Sequence, residues 1–261
     1  AQPIWWANLK REDRKQAIMD LLVTDGAVDL DNLVHRFGVS KMTIHRDLDY
    51  LEAAGVMRKI RGGGTIDAGI QFESDFRFRA QQDQNAKQKM SKAAIAMVDP
   101  GMTVMINDGS MAALLGVRLL EKRPLTVITN NAAVVDALKN EAGMTVIATG
   151  GTYSDKFNGF FGMITEAAIM ALRADVAFIS APALMGHEVF HMDETVVRAK
   201  RAMIEASAKT YLMVHHSRFG RTALRKFANV SEFDVVITDA APAPESITEL
   251  TQAGLSLTIA T

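Results

Sequence analysis

Cysteine is absent from the 261 residues, which excludes disulfide bonds, thiolate metal ligands and cysteine nucleophiles. This absence fits a reducing cytoplasm, where we expect the protein to act. No apolar run approaches the roughly 20 residues of a membrane helix, and residues 1–10 contain no signal-peptide core. The composition is that of an ordinary globular protein, and the length allows two domains.

A strong charge of either sign is also lacking, because 29 Lys and Arg nearly balance 30 Asp and Glu. Residues 1–66 carry ten basic and nine acidic side chains, so bulk charge does not indicate nucleic acid. The placement of charge is more informative, since Arg58, Lys59 and Arg61 occupy a stretch, 55–66, that contains no acid. A local basic strip of this kind suits the phosphate backbone of DNA.

Three short helices are predicted at the start of the chain. Helical spacing of apolar residues predicts helices over 11–24, 30–37 and 41–53, with Gly38 ending the second and Ser40 capping the third. Two short strands, 56–60 and 65–66, are predicted to flank a glycine-rich turn. This order predicts a winged helix-turn-helix, whose later helix enters the major groove with its N-terminus first.

The DNA contacts are expected at the start of the third helix and in the wing. Ser40 and Thr43 are better suited to phosphates, and the other helix residues to bases. The full set is Ser40, Lys41, Met42, Thr43, His45, Arg46, Arg58 and Arg61. A helical bundle with a charged face is the alternative for three helices alone, and the basic hairpin favours DNA. A histidine on a helix is commonly solvated surface, but its place beside Arg46 favours a DNA-facing role.

From residue 99 onward, β-branched runs alternate with helical stretches, which predicts an α/β domain with a mostly parallel sheet. The predicted strands are 103–107, 125–129, 145–149, 176–180, 210–214, 235–238 and 256–259. We therefore divide the chain into a DNA-binding domain, 1–66, a connector, 67–86, and an effector domain, 87–261.

Small and polar residues follow three successive predicted strands, and ligands of open α/β sheets bind beyond the carboxyl ends of strands. A Gly-Ser step that opens a helix offers free amides to a phosphate, and asparagine side chains suit sugar hydroxyls. The candidate effector residues are Asp108, Gly109, Ser110, Thr129, Asn130, Asn131, Gly150, Gly151 and, as a positive charge on a later helix, Lys200. Each segment alone could be only a turn, and their joint placement favours a small polar anion.

The sequence gives little support to a cofactor, a metal or catalysis. Neither a Walker sequence nor a Gly-x-Gly-x-x-Gly loop is present at a strand–helix junction, and we expect no cofactor. Adjacent histidines rarely converge on one ion and no carboxylate lies at ligand spacing, so we expect no metal at His187, His191, His215 and His216. Asp108 is better explained as a turn-holding residue than as a catalytic base, so no catalytic residue is expected.

The segment FGVSKMTIHRDLDYLEAAGVMRKIRGGG resembles the DNA-reading motif of the DeoR family of bacterial regulators. The segments INDGS, VITNN, ATGGTY, FFG, AKRAMIEAS and HHSRFGR follow in the order of that family's sensor domain. The resemblance implies a sensor similar in fold to ribose-phosphate isomerase, which binds a phosphorylated sugar or polyol in the pocket described above. VVRAKRAMIEAS is most similar to the glycerol-phosphate repressor branch of the family.

Three departures from the family pattern stand out. His45 replaces the usual Arg, which changes the expected base preference. His215 stands where many members have Asp before His-Ser or Ser-Ser, and Val196-Val197 alter the pattern ahead of KRAMI. The last two departures suggest a different or narrower effector.

Taken together, the sequence predicts a repressor of a carbohydrate or polyol catabolic operon. Its expected partners are operator DNA, a phosphorylated effector and further copies of itself, in a dimer or tetramer, and no membrane. An activator, or a sugar-phosphate isomerase-like enzyme with a DNA-binding domain, remains an alternative.

Overall fold

In the computed structural model, the chain forms two compact units, Ala1–Gln82 and Asp83–Thr261. The structure describes residues 9–53, 55–65 and 76–261. Ile66, the predicted end of the wing, and residues 67–75 of the predicted connector lie outside the described residues. The division between the units falls inside the segment 67–86.

The first unit contains the predicted winged helix-turn-helix. Its elements are α1 Arg11–Asp25, β1 Ala27–Asp29, α2 Leu30–Phe37, α3 Lys41–Ala53, β2 Arg58–Ile60, β3 Gly63–Thr65 and α4 Phe76–Gln81. The predicted second and third helices are confirmed with their predicted bounds. Gly38 ends α2 in the left-handed conformation, and the Thr43 amide donates to the Ser40 hydroxyl at the start of α3.

The wing is a three-stranded sheet in the order β1-β3-β2, and not the two-stranded hairpin that the sequence predicts. Gly63 and Gly64 lie in β3, so the turn is shorter than predicted. A Cβ on Gly63 would lie 2.0 Å from the Val28 carbonyl oxygen, so this residue must be glycine for β1 and β3 to pair. Buried apolar side chains of α1, α2 and α3 form the core beside this sheet, among them Ile18, Phe37 and Leu48.

The second unit is an α/β domain around a seven-stranded sheet of order β15-β14-β12-β9-β4-β5-β6. All its strand pairs are parallel, which confirms the predicted fold class. The strands are β4 Thr103–Ile106, β5 Leu125–Thr129, β6 Met144–Ala148, β9 Ala174–Ser180, β12 Ser207–Met213, β14 Val235–Thr238 and β15 Ser256–Ile259. The helices are α5 Gln84–Ile95, α6 Ser110–Arg118, α7 Ala132–Leu138, α8 Met163–Met170, α9 Glu194–Glu205 and α10 Pro244–Gln252.

The sheet is covered on both faces, because successive residues of its central strands enter different cores. Along β9, Ala177 and Ile179 belong to one cluster of buried side chains, whereas Val176 and Phe178 belong to the other. Burial on both faces explains why these strands are nearly continuous apolar runs.

Two small antiparallel sheets, which were not predicted, complete the second unit. β7 Thr152–Ser154 pairs with β8 Gly159–Phe161, and β11 Glu188–His191 lies between β10 Ala183–Met185 and β13 Arg225–Asn229. Within the described ranges, none of the helices has the length and apolarity that a membrane-spanning segment requires.

Candidate functional site

The start of α3 is held by Ser40 and Thr43. The Ser40 hydroxyl accepts from the Thr43 amide at 3.1 Å and lies 2.9 Å from the Thr43 hydroxyl. Both side chains are therefore engaged in capping the helix. Met42 is 62% exposed beside them, so an apolar surface accompanies the polar cap.

The basic residues of this unit differ in what they contact. Lys41 forms an exposed ion pair with Asp31 at 2.6 Å, and the hydrogen bond to Asp31 raises the pKa of Lys41. Lys59 pairs with Asp49. Arg46, Arg58 and Arg61 are exposed, and His45 is half-buried. Together with Lys41, these three arginines place exposed positive charge on α3 and on the wing.

A buried ion pair connects α1 to α3, the helix predicted to enter the major groove. The Arg14 Nε donates to Asp47 Oδ2 at 2.6 Å, and the side chains are only 9% and 1% exposed. Arg14 also donates to the Leu9 carbonyl oxygen at 3.2 Å. The pair lies on the inward face of α3, where it fixes the helix that presents Met42 and Arg46.

In the second unit, Asp108, Gly109 and Ser110 follow β4 at a topological switch point of the sheet. The chain runs outward from β4 to β5 and β6, and then returns to β9 on the other side of β4. Asn107 bridges the two carboxyl ends, because its side-chain oxygen accepts from the Ser180 amide at 3.0 Å and its side-chain nitrogen donates to the Ser180 hydroxyl at 3.2 Å. Ligands of open α/β sheets bind beyond the strand ends at such a switch point, so we name the region at the ends of β4 and β9 the effector crevice.

Lys200 brings a buried positive charge to the same place. Its Nζ donates to the Ser180 carbonyl oxygen at 2.7 Å and lies 3.9 Å from Asp108 Oδ1. The Lys200 and Asp108 side chains are 3% and 2% exposed, so the two charges compensate each other away from water. Beside them α6 begins with Gly109 at its N-cap, and none of the side chains that the structure describes caps its first turn.

Thr129 and Asn131 are fully engaged within the protein. The Thr129 hydroxyl donates to the Ile106 carbonyl oxygen and accepts from the Asn131 amide. Asn131 caps α7, and its side-chain nitrogen donates to the Gly109 carbonyl oxygen at 3.0 Å. These two residues hold the loops between β5 and α7 and between β4 and α6 in place.

Asn130 differs from its neighbours. Its side-chain nitrogen donates to the Phe160 carbonyl oxygen at 3.0 Å, whereas its Oδ1 is buried and, among the described residues, has no hydrogen-bond partner. A buried acceptor without a donor costs free energy, so Asn130 has a buried polar atom available to a ligand.

Gly150 and Gly151 form a tight turn after β6. The Thr165 hydroxyl donates to the Gly150 carbonyl oxygen at 2.6 Å. Gly151 has φ +118°, and a Cβ there would lie 2.1 Å from the Thr165 hydroxyl and 2.7 Å from the Phe161 carbonyl oxygen. Only glycine fits this position, which links β6 to β7 and packs against Thr165 of α8.

The histidine pair lies at the end of β12. His216 Nδ1 is 2.7 Å and His215 Nε2 is 3.5 Å from Asp239 Oδ2. No carboxylate lies at ligand spacing in the sequence, but the parallel pairing of β12 and β14 brings Asp239 beside the two histidines in space. His187 and His191 lie elsewhere, on the turn before β11 and at its end.

In comparison with known proteins, both units match domains of one protein family. Residues 14–68 match the DeoR-like helix-turn-helix domain, and residues 82–240 match the DeoR C-terminal sensor domain. The chain belongs to the DeoR family. It is a DNA-binding transcriptional regulator, and the resemblance stated from the sequence is confirmed.

Similar DeoR-family proteins align over nearly the whole chain. The glycerol-3-phosphate regulon repressor of Escherichia coli is 28% identical and covers 93% of this chain and 96% of its own. The L-fucose operon activator of Haemophilus influenzae is 26% identical, over 87% of this chain and 91% of its own.

Among solved structures, the chain is similar to ribose 5-phosphate isomerase A from Methanocaldococcus jannaschii. The identity is 14%, the match covers 53% of this chain and 55% of that one, and the TM-score is 0.38.

Sequence reasoning missed several residues of the sensor of this DeoR-family chain. Asn107 is not among the predicted site residues, although an asparagine at the end of an apolar strand is a signal that the sequence offers. The sequence does not indicate Ser180, Thr165 or Asp239, because their partners lie far away in the chain and only the fold brings them together.

Proposed function

We propose that this DeoR-family chain represses a carbohydrate or polyol catabolic operon and leaves its operator when a phosphorylated sugar or polyol binds the sensor. The similar glycerol-3-phosphate regulon repressor supports repression. The L-fucose operon activator keeps activation as the second candidate. We place this activity in the cytoplasm, where operator DNA lies.

The single observation that carries the proposal is the arrangement of polar groups at the adjoining ends of β4 and β9, the effector crevice. It combines a buried ammonium group, Lys200, with the uncapped first turn of α6. Backbone amides at a helix start and a nearby cation together favour a phosphate. The compensating charge of Asp108 keeps Lys200 stable in the absence of an anion.

The other candidate residues receive distinct roles in this proposal. Asn130 would accept a hydrogen bond from a sugar hydroxyl through its unpartnered Oδ1. Thr129 and Asn131 would position the loops, because their own hydrogen bonds are already used. Gly150 and Gly151 would allow the ligand to approach the backbone after β6.

On DNA, we propose that α3 enters the major groove and that the wing follows the backbone. The exposed side chains of Met42 and Arg46 would face base edges, while Arg58 and Arg61 would neutralise phosphates. With so little net charge in this half, binding would rest on more than one copy of the unit, in a homo-oligomer whose half-sites lie about 34 Å apart.

The test measures operator affinity by fluorescence anisotropy at fixed salt. Each member of a panel of phosphorylated sugars and polyols is compared with its dephosphorylated form. We expect one phosphorylated compound to weaken operator binding while its dephosphorylated form has no effect. Equal effects of both forms would contradict the proposal.

Ser110 provides a matched pair of variants for the site itself. Ser110→Asp places a carboxylate at the first position of α6, where it is compatible with a helix but repels a phosphate. Ser110→Ala removes the hydroxyl without adding charge. The effector response should be lost in the first variant and retained in the second, with operator affinity unchanged in both.

Two further assays separate the alternatives. An activator would bind DNA in the same assay, but a reporter operon would lose expression when the regulator is deleted. An isomerase would convert pentose or hexose phosphates in a coupled assay. We expect no turnover, because the Asp108 carboxylate lies 3.9 Å from Lys200 and is better explained as holding the turn than as a catalytic base.

A further inference from the structure

Three metal-ligating side chains converge at the carboxyl edge of the sensor sheet. His215, His216 and Asp239 each offer one ligand atom, and these atoms all lie within 4.8 Å of one another. The two imidazole rings have their centroids 4.4 Å apart and are inclined by 38°. The cluster lies beyond the ends of β12 and β14, and none of its members was assigned to the effector crevice.

The backbone fixes this convergence. Met213 and Ile237 are paired in the parallel ladder between β12 and β14, and the Val214 amide donates to the Ile237 carbonyl oxygen at 2.9 Å. The residues that follow each strand therefore leave the sheet side by side. Two ligands come from one strand end and the third comes from its neighbour.

The surroundings orient the ligand atoms. The His216 amide donates to Asp239 Oδ1 at 2.8 Å, which directs Oδ2 toward the two rings. His215 Nδ1 lies 2.8 Å from the Ser217 hydroxyl, which leaves Nε2 on the side of Asp239. Hydrogen bonds to the far side of a histidine or carboxylate ligand are the usual outer support of a metal site.

We propose that His215, His216 and Asp239 form a binding site for a divalent transition-metal ion of the zinc type. Two imidazole nitrogens and one carboxylate oxygen are ligands that such ions prefer, whereas Mg²⁺ and Ca²⁺ take oxygen ligands. Asp83 Oδ2 lies 4.0 Å from His215 Nε2, so its carboxylate is a candidate for the fourth ligand. The proposal does not depend on the identity of the effector.

The test titrates the full chain, freed of metal with a chelator, with Zn²⁺ in a calorimeter and follows its thermal unfolding midpoint. We expect one equivalent to bind and to raise the midpoint, because a ligand that binds the native state stabilises it. Mg²⁺ should have no such effect. The absence of Zn²⁺ binding to the wild-type chain would overturn the proposal.

The variants localise the ion. His216→Ala and Asp239→Asn should each weaken Zn²⁺ binding by about tenfold or more. His187→Ala, which removes an exposed histidine outside the cluster, serves as the matched control and should bind as the wild type does. Binding that is equally tight in all three variants would place the ion elsewhere and refute the site.

A second readout does not depend on the variants' folding. Co²⁺ bound to the wild-type chain by nitrogen and oxygen ligands should give visible absorption bands that one equivalent of Zn²⁺ removes. If Co²⁺ gives no bands, the three side chains form only a hydrogen-bonded cluster, and the proposal is refuted.

Discussion

Removing Asp47 should destabilise the DNA-binding unit more than removing an acid from its surface. The Asp47 carboxylate is 1% exposed and accepts from Arg14 at 2.6 Å. In Asp47→Ala the guanidinium of Arg14 stays buried and loses its hydrogen bond to the carboxylate. Its hydrogen bond to the Leu9 carbonyl oxygen remains. The change leaves a buried charge without its counter-charge.

The expected magnitude follows from that burial. Breaking a buried pair by removing one partner costs about 3–5 kcal/mol, and a typical domain is stable by only about 5–15 kcal/mol. The free energy of unfolding of this unit should therefore fall by a large fraction. Asp49→Ala breaks an exposed pair with Lys59 and should cost less than about 1 kcal/mol.

Hydrogen exchange of the full chain, read by mass spectrometry, separates the two units. Amides of residues 11–53 should lose protection in Asp47→Ala, while those of the second unit keep it. The double variant Arg14→Met with Asp47→Leu removes both charges and should recover much of the loss. Equal losses in Asp47→Ala and Asp49→Ala, or no recovery in the double variant, would refute the reasoning.

Three further predictions concern other parts of the chain. Gly151→Ala should lower the unfolding midpoint of the second unit, because its Cβ would lie 2.1 Å from the Thr165 hydroxyl; an unchanged midpoint in calorimetry would contradict this. Arg61→Ala should weaken operator binding and reduce the slope of log affinity against log salt by about 1, and an unchanged slope would show that Arg61 contacts no phosphate. Burial raises the pKa of Glu232 but bonds from Arg201 and the backbone outweigh it and lower the pKa. The stabilisation by Glu232 is therefore present above its unfolded pKa and lost as pH falls. The difference in free energy of unfolding between the wild type and Glu232→Gln, measured by urea unfolding, should become smaller below about pH 4.

The elements that sequence reasoning predicted well are those with local signals. The helices 30–37 and 41–53 have a glycine end and a serine cap, and the strands 125–129 and 235–238 are largely buried apolar runs. β1 was missed because three residues form a strand there only by pairing with β3, far along the chain. The sheet of β10, β11 and β13 likewise depends on distant pairing.

The candidate site shows the same limit. The sequence indicates polar strand ends, but only the strand order places β9 beside β4 and thus Lys200 beside Asp108. Composition likewise could not show that Thr129 and Asn131 use their polar groups on the protein itself, or that Asp239 lies beside His216.

The central claim is that an effector bound in the β4–β9 crevice and operator DNA favour different states of the regulator. Linkage requires that each ligand change the affinity for the other by the same factor. The decisive measurement is the dissociation constant of the phosphorylated effector for the full chain, with and without saturating operator DNA. The account predicts weaker effector binding on DNA, by the same factor as the effector weakens operator binding, and an effector affinity that DNA leaves unchanged would contradict it.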